Sequence, residues 1–201
     1  MSVAPSPGKR ERTKLANRAA ILDAARDVFV ELGFGAATVR DIVRRTDLAS
    51  GTFYNYFPDK ESVFRALVDE TVAEATQRTH IARQAGQTLE AFVTDGFREY
   101  FAFLVEDRTT FELIRRNAGT IRTMFDGPAV GAGIAQLAED LAERVQSGLV
   151  PPHDTELMAA AMVGAAYEVG VRMLDRDPPN VDGAADFCSQ LFLGGLERFA
   201  T

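Results

Sequence analysis

The chain has 201 residues, 46% of them hydrophobic and 25% charged, with a formal net charge of −7, which fits a soluble protein of one large or two small domains. A single cysteine, Cys188, excludes a disulfide framework within the chain and any multi-cysteine metal site. No run reaches the ~18 consecutive apolar residues of a membrane span, so the expectation is a cytoplasmic protein with no membrane partner.

Charge is unevenly placed. Residues 1–65 carry 11 Lys+Arg against 8 Asp+Glu, whereas residues 66–201 carry 11 against 21. A basic front on an acidic body points to a small module that meets a polyanion and a larger body that does not. Residues 1–13 read as a disordered basic tail, whose Lys9, Arg10 and Arg12 either enter a minor groove or make no contact. From Ala16 to Leu32, apolar residues at Ile21, Leu22, Ala25, Val28, Phe29 and Leu32 predict a helix, closed by the glycines of "ELGFG". Thr38 is positioned to cap a second, short helix, with Val39, Ile42 and Val43 inward and Arg40, Arg44 and Arg45 outward. "TDLAS" makes a tight connection, and Ser50 or Thr52 opens a third helix that Pro58 stops after Phe57. Two short helices joined this way form a helix-turn-helix. Phe53 and Phe57 are i,i+4 and belong to the core. Thr52, Asn55 and Tyr56 lie on the opposite side, with Tyr54 at the margin. Hydroxyls and amides there suit phosphates and base edges, and Lys60 follows in the first turn of the next helix; packing of the two tyrosines against neighbouring helices is the competing reading.

The segment "RAAILDAARDVFVELGFGAATVRDIVRRTDLASGTFYNYFPDKESVF" resembles the DNA-binding domain of the TetR family of bacterial transcriptional regulators, over roughly residues 14–67. One departure is Asp47, which stands where the family usually has glycine; aspartate tolerates left-handed backbone better than most residues. The resemblance implies a helix-turn-helix domain over 14–60 and a ligand-binding and dimerisation domain over 61–201. It also implies that Arg40 reaches a base edge or phosphate, that Thr52 and Asn55 lie nearest the bases, and that Thr38, Tyr54, Tyr56 and Lys60 hold phosphates, with Ser50 and Gly51 completing the contact set.

Beyond Lys60 the periodicity stays helical, with no strand alternation. Val63, Phe64, Leu67, Val68 and Val72 mark one helix, Leu89 to Leu104 a second, and Phe111 to Phe125 a third. "FDGPAVGAG" breaks the pattern, Ile134 to Leu149 restore it, and residues 155–175 and 183–199 form two final helices. The expected fold is therefore all-α: an N-terminal three-helix helix-turn-helix domain and a C-terminal helical bundle, about nine helices in total. Phe97, Tyr100, Phe101, Phe111 and Phe125 are candidates to line an apolar pocket for an apolar or amphipathic effector, with Arg115 at its polar end; a plain core is the alternative. Small residues in "MAAAMVGAAYEVGVRM", together with Gly194 and Gly195, suit a homodimer interface built from 155–175 and 183–199.

Catalytic parts are missing. His80 and His153 lie far apart and read as surface residues; Cys188 reads as packed; Glu139, Asp140 and Glu143 follow helical surface spacing. The reading is a DNA-binding regulator with no catalytic residue, metal or cofactor. Its partners are a double-stranded DNA operator, a second copy of itself and a small-molecule effector. A helix-turn-helix regulator without an effector and, further off, an all-helical enzyme are the alternatives.

Overall fold

A computed structural model describes residues 8–124 and 127–200. Among them it is all-α, with nine α-helices and a closing 3-10 turn. The helices are α1 (Lys9–Ala36), α2 (Val39–Val43), α3 (Ser50–Tyr54), α4 (Lys60–Ala85), α5 (Leu89–Glu106), α6 (Arg108–Arg122), α7 (Pro128–Gln146), α8 (Thr155–Leu174) and α9 (Val181–Leu196). Two compact units divide between Val68 and Asp69, within α4.

The first unit has a small aromatic core. Ile21, Leu22, Ala25, Val28 and Phe29 of α1 meet Ile42, Phe53, Phe57, Val63, Phe64 and Leu67, all buried. Phe29 and Phe64 pack edge to face with centroids 5.1 Å apart, and Phe34 lies 4.9 Å from Phe64; such pairs add roughly 0.5–1.5 kcal/mol beyond their buried area. The chain can turn back on itself after α1 because Gly33 adopts φ 75°, which breaks the helix where the glycine-rich exit predicts. At its other end α1 departs from expectation: it begins at Lys9, so residues 9–13 of the expected tail are helical, while residues 1–7 lie outside the described part.

The second unit is a helical bundle. α5 packs on α6, α8 and α9, α8 also on α6, α7 and α9. Side-chain caps fix several starts: Thr88 for α5, Asp107 for α6 and Asp154 for α8, each accepting from backbone amides one turn on. α7 opens on Pro128, at the start of the helix where its missing N–H costs nothing. α5 and α8 approach closely at Gly170, where an added Cβ would stand 2.8 Å from Leu104.

Two expectations for this unit are corrected. Asp140 is not on the surface: it is 1% exposed, and its carboxylate accepts from Arg83 (Nε 2.8 Å, Nη2 2.7 Å), His80 (2.9 Å), Gln84 and Gln136 (both 3.3 Å). His80 is accordingly tied into this network instead of standing free. Arg83 is itself buried, its stem lying under Gly96 of α5; burial lowers its affinity for the proton and the Asp140 carboxylate opposes that effect. Spacing offered a clue, since Asp140 is i+3 from the inward Leu137 and i−1 from the fully buried Leu141.

Candidate nucleic-acid interface

α2 is only five residues long and relies on its start. The Thr38 hydroxyl accepts from the Asp41 amide (3.3 Å), and the Asp41 carboxylate accepts from the Thr38 amide (3.1 Å) and hydroxyl (2.5 Å), a reciprocal cap worth about 1 kcal/mol. Those bonds, the hydroxyl's first, hold the Asp41 carboxyl below its ordinary range. Thr38, expected to hold a phosphate, is also the residue that starts α2. Between α2 and α3 the turn is carried by Thr46, whose hydroxyl donates to the carbonyl of Val43 (2.9 Å) and accepts from the amide of Leu48 (3.2 Å). No non-glycine residue among those described has a positive φ, so Asp47 in place of glycine introduces no backbone strain.

With its back buried through Phe53, α3 turns its polar side outward. Ser50, Gly51, Tyr54 and Asn55 are exposed, Tyr54 by 58%, while Thr52 and Tyr56 are half-buried. Arg40 is exposed on α2, its carbonyl accepts from the Arg44 amide (3.1 Å), and its guanidinium makes no hydrogen bond or ion pair among the described residues. The neighbouring Arg45 is occupied by a two-pronged ion pair with Glu31 of α1, which lowers the Glu31 pKa and raises that of Arg45; sequence spacing placed Arg45 on a solvated face.

Lys60, expected to hold a phosphate, is engaged within the domain. Its ammonium donates to the carbonyls of Phe34 (2.8 Å), Ala37 (2.9 Å) and Gly35 (3.4 Å), and lies 4.6 Å from the Phe34 ring centroid. The break at Gly33 leaves those carbonyls without helical partners, and a cation satisfies them. We expect Lys60→Ala to lower stability by about 1.5–3 kcal/mol, seen as an earlier melt of the DNA-free protein; an unchanged melting temperature would return Lys60 to the phosphates.

Among the predicted effector residues, Phe97 and Phe101 are buried and stacked 6.3 Å apart, and Phe97 stacks on Phe192 at 5.6 Å. Tyr100 packs against Phe101 at 5.4 Å, and burial raises its pKa. Phe111 is half-buried, Arg115 is exposed and paired with Glu112 (2.8 Å), and Phe125 lies outside the described residues. Phe97, Tyr100 and Phe101 thus pack against one another and against Phe192. A groove of about 390 Å³ lies elsewhere, between α8 and α9, where Val169, Met173 and Phe187 meet Arg172 and Arg176.

The α1–α4 segment, residues 21–67, matches the family described as "Bacterial regulatory proteins, tetR family". This segment is a TetR-family domain. The whole chain shares its fold with solved structures of low identity. Against the fatty acid degradation regulator FadR from Bacillus halodurans, identity is 23%, coverage 96% of this chain and 98% of that one, and the TM-score 0.73. The transcriptional regulator FadR from Bacillus subtilis, solved with stearoyl-CoA, gives 21%, 88%, 98% and 0.74. A TetR-family regulator from Pectobacterium atrosepticum gives 19%, 94%, 97% and 0.73. In the TetR-family domain of this chain, the groups free to meet a partner are the Arg40 guanidinium, the Tyr54 and Tyr56 phenols and the Ser50, Thr52 and Asn55 side chains. They are hydrogen-bonding groups of the kinds that meet groove edges and phosphates in protein–DNA complexes.

Proposed function

We propose that this TetR-family chain is a homodimeric repressor that binds a palindromic DNA operator and is released by a small apolar or amphipathic effector. The observation that carries the DNA reading is the exposed polar face of α3 held on a buried Phe53–Phe57 back, with Arg40 beside it. Dimerisation is supported by α8 and α9. α8 has a mean hydropathy of 1.4 over its most apolar window, only 39% of that window being buried. Leu157 is 70% exposed, Phe187 60% and Leu191 55%. Gly164, Gly194 and Gly195 have open space where a Cβ would stand. An unpartnered apolar face of this kind fits a second copy, which would hold two readers about 34–36 Å apart, one helical turn of DNA. The effector class is carried over from the stearoyl-CoA of the Bacillus subtilis relative. The stacked Phe97–Phe101–Phe192 core favours a second reading, a regulator with no effector, and calorimetry with long-chain acyl-CoA separates the two.

The test is fluorescence anisotropy with duplexes selected by the protein from a random pool, against scrambled DNA. If the Arg40 guanidinium forks onto guanine, Arg40→Ala will cost ~1–3 kcal/mol on the selected duplex and relax preference at one position per half-site. Equal losses on both duplexes would move Arg40 to the phosphates, and no wild-type preference between them would defeat the regulator reading.

A further inference from the structure

We infer that the first turns of α1 form a second, sequence-independent DNA contact, a cationic stripe of Arg10, Lys14 and Arg18 that grips phosphates flanking each half-site. The inference rests on the proposed operator binding and extends it beyond the helix-turn-helix.

The ten residues Lys9–Arg18 hold five cations and one acid, in a chain whose net charge is −7. They are helical, and residues 9–16 are exposed. Positive charge in the first turns of a helix opposes the helix dipole, so this composition is not there to stabilise α1. Arg10, Lys14 and Arg18 recur at i, i+4 and i+8 and therefore share one face. The next step of that series is Leu22, which is buried in the domain core. The stripe thus continues the side of α1 on which the rest of the domain packs, beyond the point where the core ends.

Arg18 fixes where the stripe begins. Its guanidinium lies 5.6 Å from the ring centroid of Phe57, directly after the α3 turn. From there Arg10 stands eight residues further out, about 12 Å along the helix, or three to four phosphates of one strand at about 3.4 Å each. Contacts that far out from α3 are assigned to phosphates at and beyond the outer edge of the half-site, in the flanks. Duplex DNA is a fitting occupant because the stripe is opposite to DNA in charge and starts at Arg18, beside Phe57 at the end of the helix-turn-helix.

The experiment compares the full-length wild type with Arg10→Gln/Lys14→Gln and with the charge-preserving Arg10→Lys/Lys14→Arg. Two duplexes are used: a selected operator trimmed to its half-sites, about 20 base pairs, and the same operator with flanks. On the flanked duplex the Gln variant should lose affinity tenfold or more. Its slope of log K against log salt should flatten by about 0.9 per lost phosphate, near 2 for each reader. On the trimmed duplex it should match wild type, while the charge-preserving variant behaves as wild type on both. Circular dichroism of the Gln variant should show undiminished helix, since removing cations from a helix start does not weaken it. An unchanged slope on the flanked duplex overturns the inference, and an equal deficit on both duplexes overturns the assignment to flanking phosphates. Failure of the wild type to bind any duplex removes operator binding itself, a result distinct from either.

Discussion

Asp140→Ala is expected to destabilise the bundle by about 3–5 kcal/mol, because it leaves the Arg83 guanidinium buried without its counter-charge. Arg83 has little room to escape. Its stem is pressed beneath Gly96, where even a Cβ would lie 2.9 Å from Cγ, and the backbone carbonyl of Arg83 is bridged by Arg144, which also stacks 5.6 Å from the centroid of Phe92. His80, Gln84 and Gln136 would lose an acceptor at the same stroke. For a unit of this size the loss corresponds to a fall in melting temperature on the order of 10 °C or more. Removing both charges tells a different story: Arg83→Met/Asp140→Leu should recover much of the loss, since a buried ion pair exchanged for packed apolar groups is often neutral or better. A melt of Asp140→Ala within a degree or two of wild type would show that water, not Asp140, satisfies Arg83.

Gly164→Leu is expected to lower operator affinity by about 10²-fold while leaving the folded chain intact. Within one chain nothing lies within 4 Å of a Cβ at Gly164, so a side chain can start there without a clash, and a loss of affinity with the fold intact points to a partner. Gly164 shares a face of α8 with the exposed Leu157, seven residues earlier, and a bulky residue there would hold two copies apart. Each reader would then bind alone, without the effective concentration that linkage supplies. Sedimentation would report a monomer in place of the wild-type dimer, and circular dichroism an undisturbed helix content. A leucine variant that sediments and binds as wild type would place the dimer face elsewhere.

The helices were legible because their apolar residues recur with period 3.6, and Thr38 stands where it caps α2; the start of α7 was not, since Pro128–Gly133, read as a break, are helical. The split of α3 into a buried Phe53–Phe57 side and a polar side follows from the same period. Partners across the chain were not legible. Lys60 looks like a phosphate contact in sequence, yet twenty-six residues earlier the glycine break leaves the carbonyl of Phe34 open to it. Asp140 looks like surface because acids usually are, and only the arrival of Arg83 from α4 makes its burial tolerable. The predicted effector aromatics illustrate the same limit: period places Phe97 and Phe101 inward, but it does not say whether inward means a cavity or a neighbour such as Phe192.

The boundary at Val68 has a consequence for synthesis. Every described buried residue of the first unit, from Ile21 to Val68, precedes the whole of the second in the chain. A ribosome adding roughly 5–20 residues per second releases that complete apolar set on the order of ten seconds before the end of α9 emerges. The aromatic cluster of Phe29, Phe34 and Phe64 can close during that interval, and the nascent chain carries a finished reader while the apolar face of α8 is still being translated.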